Sequence, residues 1–321
     1  MNLDRAFALA RAVPPRATSP NPRVGCVLVK GGKIVAEGAH QGFGCAHAEP
    51  IAIGKAGRRA KGATVFVTME PCAPFPGKKT PSCATALVAA GVSKVICATL
   101  DPNPKVSGRG LALLREAGVK TEVDASFRDA AAELNRGFFS LMTRNRPWVI
   151  LKTALSLDGK AAAVNGKSRW VTGEPARNAA HALRAEYDAI LVGAGTVLAD
   201  NPSLTAHGAG ENPLRVVLTG RRTMPKRAKV FDKSAPTVVY KKTPLKAVLR
   251  DLAKRGVGTL LVEGGPTVHA SFLKEGLVDE AKVYLAPKLL SGATDPNKAP
   301  RLKSPAVTKL GDDWLISGVL S

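Results

Sequence analysis

His47-Ala48-Glu49, followed one strand later by Glu70-Pro71-Cys72 and then by Cys83, is the stretch on which the reading of this chain turns. One imidazole and two thiolates suit a borderline-soft zinc ion, one per chain, and leave its fourth position to water. Coordination lowers the pKa of that water and makes hydroxide available near neutral pH. Hydrolytic removal of an amino group then needs one further protein group, to take a proton from the water and return it to the substrate ring and the departing amine. Glu49, two residues past the imidazole in the first turn of a helix, can do this without binding the metal. The compact form of this signature separates its cysteines by two residues. Here residues 73–82 lie between them, with three prolines, Gly77 and Lys78-Lys79, and chelation requires that loop to fold back. Two readings without catalysis stand beside this one: His47, Cys72 and Cys83 as ordinary packed side chains, and a closed structural zinc site completed by Cys45.

Working outward, Leu3, Ala6, Phe7, Ala10 and Val13 recur at helical spacing before Pro14-Pro15. Residues 24–29 and 34–37 flank Lys30-Gly31-Gly32-Lys33 as a hairpin. Helices are expected over 47–56 and 83–90, strands over 64–68 and 95–99, and a helix over 127–141. This rhythm predicts a layered α/β domain. The polar run Thr143-Arg144-Asn145-Arg146 before Pro147 marks a boundary, giving domains 1–145 and 146–321. Beyond it, strand candidates at 149–153, 189–192, 214–218, 237–240, 259–262 and 281–285 alternate with helices near 174–186, 245–255 and 266–275, the pattern of a second α/β domain with a mostly parallel sheet.

A length of 321 residues with 45% hydrophobic content is consistent with two such domains. The net charge of +22 is shared evenly between the halves, with no basic tail, and fits a basic surface or a phosphorylated small molecule better than a nucleic-acid footprint. Five scattered cysteines do not make a disulfide framework; Cys26 and Cys97, within apolar strands, read as core. With no secretory signal and no apolar run long enough to span a bilayer, a soluble cytoplasmic protein is expected.

Further motifs carry a resemblance. They are Pro20-Asn21-Pro22-Arg23-Val24-Gly25-Cys26, Thr80-Pro81-Ser82-Cys83, Asp101-Pro102-Asn103-Pro104-Lys105-Val106-Ser107-Gly108-Arg109-Gly110, Ser156-Leu157-Asp158-Gly159-Lys160, Ser168-Arg169-Trp170-Val171-Thr172, Gly195-Thr196-Val197-Leu198-Ala199-Asp200-Asn201-Pro202, Glu263-Gly264-Gly265-Pro266 and Leu277-Val278-Asp279-Glu280. Over nearly its full length the chain resembles the bifunctional deaminase/reductase family of bacterial riboflavin biosynthesis. The resemblance implies an N-terminal cytidine-deaminase-like three-layer domain and a C-terminal dihydrofolate-reductase-like domain. It implies zinc-dependent deamination of 2,5-diamino-6-(5-phosphoribosylamino)pyrimidin-4(3H)-one, then NADPH-dependent reduction of the ribosyl group to ribityl phosphate.

Matched residue by residue, the resemblance implies that Asn21, His40 and Lys79 contact the deaminase substrate. Ala154, Trp170, Thr196, Asp200, Gly265, Pro266 and Thr267 would meet the cofactor, and Lys152, Asp158, Ser168, Arg184, Leu204, His207 and Glu263 the reductase substrate. Backbone amides opening a Gly-Gly-Pro helix can meet a dinucleotide phosphate, although the G-x-G-x-x-G fingerprint is absent. Two departures stand out. Ala73-Pro74-Phe75-Pro76-Gly77-Lys78-Lys79 is two residues longer than the family's segment and lacks its histidine, and His207 occupies a place where the family often has arginine. A homo-oligomer, a dimer first, is expected. No membrane and no nucleic acid is expected as primary partner, the competing functions being a nucleic-acid editing deaminase with an accessory domain and a noncatalytic zinc scaffold.

Overall fold

Short strands whose successive side chains enter opposite apolar layers build the first half of the protein. The computed structural model describes residues 2–74, 82–164, 170–310 and 313–320. Two units result, Met1–Trp148 with Pro244–Thr259, and Val149–Thr243 with Leu260–Ser321.

The first unit runs α1 (Asn2–Arg11), β1 (Gly25–Lys30), β2 (Lys33–Ala39), α2 (Ala48–Ala56), β3 (Thr64–Val67), α3 (Cys83–Ala89), β4 (Lys94–Cys97), α4 (Arg109–Glu116), β5 (Lys120–Val123), α5 (Arg128–Leu134) and α6 (Arg136–Arg144). Its sheet has the order β2-β1-β3-β4-β5, with β1 antiparallel to β2 and β3 and the rest parallel. Period-two alternation makes the layers. Val65, Val67, Val95 and Cys97 join Ala48, Ala52, Leu87, Leu111 and Leu114 of α2, α3 and α4 on one face. Phe66 and Ile96 point the other way, onto Leu3 and Phe7 of α1 and Ala131 and Leu134 of α5. Cys26 and Cys97 are fully buried core residues.

Residues 127–141, expected as one helix, are two. Asn135 breaks the run because its side chain serves the backbone of Arg23, accepting from Arg23 N at 2.8 Å and donating to Arg23 O at 3.0 Å. Helix α4 and strand β5 carry no sequence signal strong enough for us to have expected them; β5 is only four residues long and mostly exposed.

The second unit runs β6 (Trp148–Ser156), α7 (Glu174–Glu186), β7 (Ala189–Gly193), α8 (Ala194–Asp200), β8 (Leu214–Leu218) and β9 (Thr237–Tyr240). After α9 (Leu245–Lys254), which groups with the first unit, come β10 (Thr259–Val262), α10 (Pro266–Lys274), β11 (Glu280–Ala286), β12 (Leu302–Leu310) and β13 (Asp313–Leu320). The main sheet has the order β11-β6-β10-β7-β8-β9, and its β11·β6, β10·β7, β7·β8 and β8·β9 pairs are parallel. The chain builds outward from β7 to β9, then returns to insert β10 between β6 and β7. Building direction therefore reverses at the β7/β10 pair, and a crevice opens at the carboxyl ends of strands flanking such a switch point. Strands β12 and β13 pair only with each other, as an antiparallel ribbon that the sequence reading did not foresee.

One buried cation organises the loops above β8. Arg215, with no exposed surface, donates through Nη1 to Ser203 O (3.2 Å), Lys229 O (3.2 Å) and Asp232 Oδ1 (2.9 Å), through Nη2 to the carbonyls of Asp232 and Ala235, and through Nε to Thr237 Oγ1. Replacing it by methionine keeps the apolar stem and strands those acceptors. Arg215→Met should destabilise the second unit by about 2–4 kcal/mol, read as a lower urea midpoint by circular dichroism; an unchanged midpoint would contradict this role.

Candidate functional site

Each of the three expected ligands sits where a helix begins or the chain turns. His47 is the N-cap residue of α2, in extended conformation, yet its ring makes no capping bond. Its Nδ1 instead lies 3.6 Å from Cys72 Sγ and 3.2 Å from Cys83 Sγ. Cys83 is the first residue of α3, and the N-cap Ser82 ties that helix start back to the other ligand by donating to Cys72 O at 2.8 Å. The Cys83 amide also donates to Cys72 Sγ at 3.4 Å. The three ligand atoms all lie within 4.8 Å of one another. Tetrahedral zinc with Zn–S of about 2.3 Å and Zn–N of about 2.1 Å sets neighbouring ligand atoms about 3.6 Å apart, so the donor set fits that ion in chemistry and spacing. Cys45 is exposed and outside the cluster, and no fourth ligand joins the three among the described residues.

Electrostatics agree. The hydrogen bond from Cys83 holds the Cys72 thiol down at about 3, helped by His47, while the same bond pushes Cys83 up. Glu49, in the first turn of α2 and 3% exposed, is pushed up to about 7 by burial and by the negative charge of Cys72. Its carboxyl touches the Cys83 thiol. His40 packs edge-on to His47 with ring centroids 5.2 Å apart. Its Nδ1 meets Ala46 O at 3.0 Å, and its Nε2 is buried with no hydrogen-bond partner. Asn21 is fixed through its backbone by Thr18, which accepts at O from Asn21 N (2.8 Å) and donates from Oγ1 to Asn21 O (3.0 Å). Lys79 lies outside the described residues.

A residue that went unassigned in the sequence supports the whole centre. Glu70 is buried, and its carboxylate accepts four backbone hydrogen bonds, from Asp101 N (3.1 Å) and Gly108 N (2.8 Å) at Oε2 and from Gly110 N (2.9 Å) and Leu111 N (3.2 Å) at Oε1. The N-cap of α4, Gly108, has no side chain to cap with, and Glu70 supplies the missing acceptors from two residues before Cys72. Gly110 is required by the fit, since a Cβ there would sit 1.8 Å from Pro71 O. The Asp101 to Gly110 motif is thus explained as the seat of the segment that carries Cys72. The readable signal was a carboxylate beside a ligand paired with a helix start that lacked its own cap.

In the second unit, a cleft of about 1070 Å³ lies at the switch point. Lys152, Ala154, Trp170, Arg184, Thr196, Asp200, Glu263, Gly265, Pro266 and Thr267 line it, so the structure gathers most of the expected reductase residues. Gly264 and Gly193 let α10 approach β7, because a Cβ on either would come within 2.7 Å of Val268 side-chain atoms. The N-cap Gly265 presents the start of α10 with no side-chain cap, a geometry suited to a phosphate of a dinucleotide. The cleft matches the upper end of small-molecule sites, about 300–1,000 Å³.

At the cleft wall Arg184 grips Glu263 with two bonds, Nε to Oε1 at 3.0 Å and Nη2 to Oε2 at 2.9 Å, and Lys152 Nζ is 3.9 Å from Oε2. Burial pushes the Glu263 carboxyl up, but the Arg184 charge and hydrogen bonds, with Lys152, outweigh it and hold the group below its ordinary value. Leu204 and His207 adopt left-handed backbone, φ 56° and 51°, a strained conformation for such residues. Leu204 is buried, and His207 stacks on the cleft residue His181 with centroids 4.1 Å apart. Asp158 is not part of the cleft wall. Its carboxylate accepts from Ser156 Oγ and from the amides of Leu290 (2.9 Å) and Ser291 (2.6 Å), which fixes the turn after β6. Ser168 lies outside the described residues.

Comparison with known proteins extends both halves. Residues 1–99 match the cytidine and deoxycytidylate deaminase zinc-binding region, and residues 147–316 match the RibD C-terminal domain. The chain is 40% identical to the riboflavin biosynthesis protein RibD of Aquifex aeolicus, over 93% of this chain and 92% of the other. The chain belongs to the RibD family. RibD of Acinetobacter baumannii superposes with a TM-score of 0.84 at 35% identity, covering 100% of this chain and 98% of that one. The Thermotoga maritima structure described as a diaminohydroxyphosphoribosylaminopyrimidine deaminase/5-amino-6-(5-phosphoribosylamino)uracil reductase gives 0.82 at 35% identity, covering 98% and 96%. With the family comes the fold: a cytidine-deaminase-like unit and a dihydrofolate-reductase-like unit.

Glu70→Gln puts an amide NH₂ against backbone N–H donors. Zinc affinity measured by chelator competition should fall about tenfold or more, as for other outer supports of metal ligands; unchanged affinity would show that Cys72 is held without Glu70.

Proposed function

We propose that the chain is a bifunctional enzyme of riboflavin biosynthesis. Its first unit deaminates 2,5-diamino-6-(5-phosphoribosylamino)pyrimidin-4(3H)-one, and its second reduces the ribosyl group of the product to ribityl phosphate with NADPH. The observation that carries this reading is the coexistence, on a chain of RibD length and sequence, of a three-ligand metal centre beside a buried carboxyl and a dinucleotide-sized cleft. Zinc held by His47, Cys72 and Cys83 would supply a water of lowered pKa. Deamination forms a C–O bond at the ring carbon and breaks its C–N bond, with one proton moved to the ring nitrogen and one to the leaving amine. Glu49, buried beside the cluster in the first turn of α2, carries them. His40, packed edge-on to His47, orients the pyrimidine, with Asn21 and Lys79 the further contacts that the resemblance implies.

In the reductase the cofactor carries the hydride, so the protein's part is positioning. Ala154, Trp170, Thr196, Asp200 and the Gly265-Pro266-Thr267 start of α10 hold NADPH. Lys152 and Glu263 hold the sugar, with Ser168 the further sugar contact that the resemblance implies, and Arg184 holds the phosphate, with Leu204 and His207 completing the substrate site. The location that fits is the cytoplasm; among the described residues no helix is long and apolar enough to cross a membrane. Two copies are proposed to associate through the β12–β13 ribbon, since isolated two-stranded ribbons are marginal in water and this one exposes Val307, Trp314 and Val319. Trp314→Glu should convert a sedimenting dimer to monomer; a monomeric parent protein would contradict this.

Glu49→Gln should keep the zinc but abolish ammonia release, because the ligands remain while proton transfer is lost; ammonia production at the parent rate would remove Glu49 from its role. His207 gives a pH test. Burial, then the charge of Arg184, hold its pKa below the ordinary histidine value, so it is neutral at pH 7.5 and gains charge only as pH falls. KM for the deaminated intermediate should therefore drop between pH 7.5 and 6 in the parent and stay flat in His207→Arg. Parallel profiles for the two would count against a phosphate contact.

A further inference from the structure

Arg222 has no role in the account so far. It follows β8 by four residues, is exposed, and lines the cleft, whereas Arg221 beside it is exposed but forms no part of the cleft wall. Its backbone is pinned, the amide donating to Thr219 O at 2.9 Å. Its Nη1 lies 3.4 Å from the place a Cβ on Gly195 would take, which sets the guanidinium beside Thr196 in the first turn of α8. Among the described residues no carboxylate pairs with that guanidinium, so its fork of N–H donors is left to water or to a ligand in the cleft.

We propose that Arg222 binds the 2′-phosphate of NADPH and thereby sets the preference for that cofactor over NADH. The sheet supplies the position. Strands β10, β7 and β8 are adjacent and parallel, and their carboxyl ends lie nearly level, with Val262 opposite Leu191 and Gly193 opposite Leu218. The start of α10, suited to a dinucleotide phosphate, follows β10, while Lys152 on β6 and Glu263 just past β10 mark the sugar side of the cleft. A nicotinamide turned toward that side sends the adenosine half the other way, over β7 and β8. Strand spacing puts the end of β8 roughly 10 Å from that of β10, within reach of the adenosine ribose. The chemistry agrees. A site for NADH takes the ribose 2′-hydroxyl on a carboxylate, whereas a site for NADPH places arginine near it. Thr219-Gly220-Arg221-Arg222 carries no acid. Of the cleft's two carboxylates, Glu263 is gripped by Arg184 and Asp200 closes α8, at the opposite end from Gly195. A guanidinium fork meets two phosphate oxygens at once, which a hydroxyl cannot reward.

This assignment rests on the reductase reading, and the experiment separates the two. Adenosine 2′,5′-bisphosphate and adenosine 5′-monophosphate are titrated calorimetrically into the full chain and into Arg222→Gln, Arg222→Lys and Arg221→Gln, and oxidation of NADPH and of NADH by the deaminated intermediate is followed in each. Arg222→Gln should bind the bisphosphate about ten- to hundredfold more weakly and leave the monophosphate unchanged. Its KM for NADPH should rise by a similar factor while that for NADH stays put. Arg222→Lys, with the charge but not the fork, should recover part of the loss, and Arg221→Gln should match the parent. Parent affinity for the bisphosphate in Arg222→Gln, equal weakening of both nucleotides, or an equal loss in Arg221→Gln would overturn the assignment. A parent protein that binds neither nucleotide and oxidises neither cofactor would instead overturn the reductase reading.

Discussion

Three soft ligand atoms from three separate segments have to converge around one small ion, and the first unit is built to meet that requirement. Two of them, His47 and Cys83, sit at helix starts, and the first amide of the second helix supports sulfur by donating to Cys72 Sγ. The third, Cys72, lies in irregular chain and has no helix of its own. It depends on two anchors, the Ser82 hydroxyl on its carbonyl and the Glu70 carboxylate two residues before it. Because Glu70 simultaneously caps α4, the metal centre and the packing of that helix are one device. The same convergence buries Glu49 beside sulfur, and burial with the charge of Cys72 pushes its carboxyl up to about 7.

The second unit solves a different problem. A cleft that must hold anionic and polyhydroxylated ligands needs charge inside it, and buried charge is tolerated only when paired. Arg184, Glu263 and Lys152 form that paired set, and it leaves the wall with donors to spare. The loop carrying Leu204 and His207 is strained, and it is held from below by Arg215 through Ser203 O. Glycine at 193 and 264 brings α10 close enough to β7 for its first turn to open on the cleft.

How far the sequence foretold this varies with the kind of signal. The convergence of His47, Cys72 and Cys83, the place of Glu49 in the first turn of α2 and most strands were legible because donor chemistry and period-two burial leave marks on single residues. The break at Asn135 was invisible, because the competing bond is to Arg23, more than a hundred positions away. Glu70 was visible as a letter of a motif but not as an acceptor for four amides in another segment. Asp158 was expected from the resemblance to shape the sugar site, and its oxygens instead serve the turn to residues 290 and 291. The ribbon β12–β13 escaped notice since its apolar residues face outward, where no core pattern forms. The reductase as a function came from resemblance, since this cleft carries no dinucleotide fingerprint in its sequence.

X-ray absorption at the zinc edge of the purified, metal-loaded chain tests the central claim most directly. Three protein ligands with one open position predict two sulfur scatterers at about 2.3 Å and two nitrogen or oxygen scatterers at about 2.0–2.1 Å, one of which exchanges when a pyrimidine analogue is added. Three sulfurs, with Cys45 completing a closed shell that no analogue perturbs, would contradict a catalytic centre and leave a structural one.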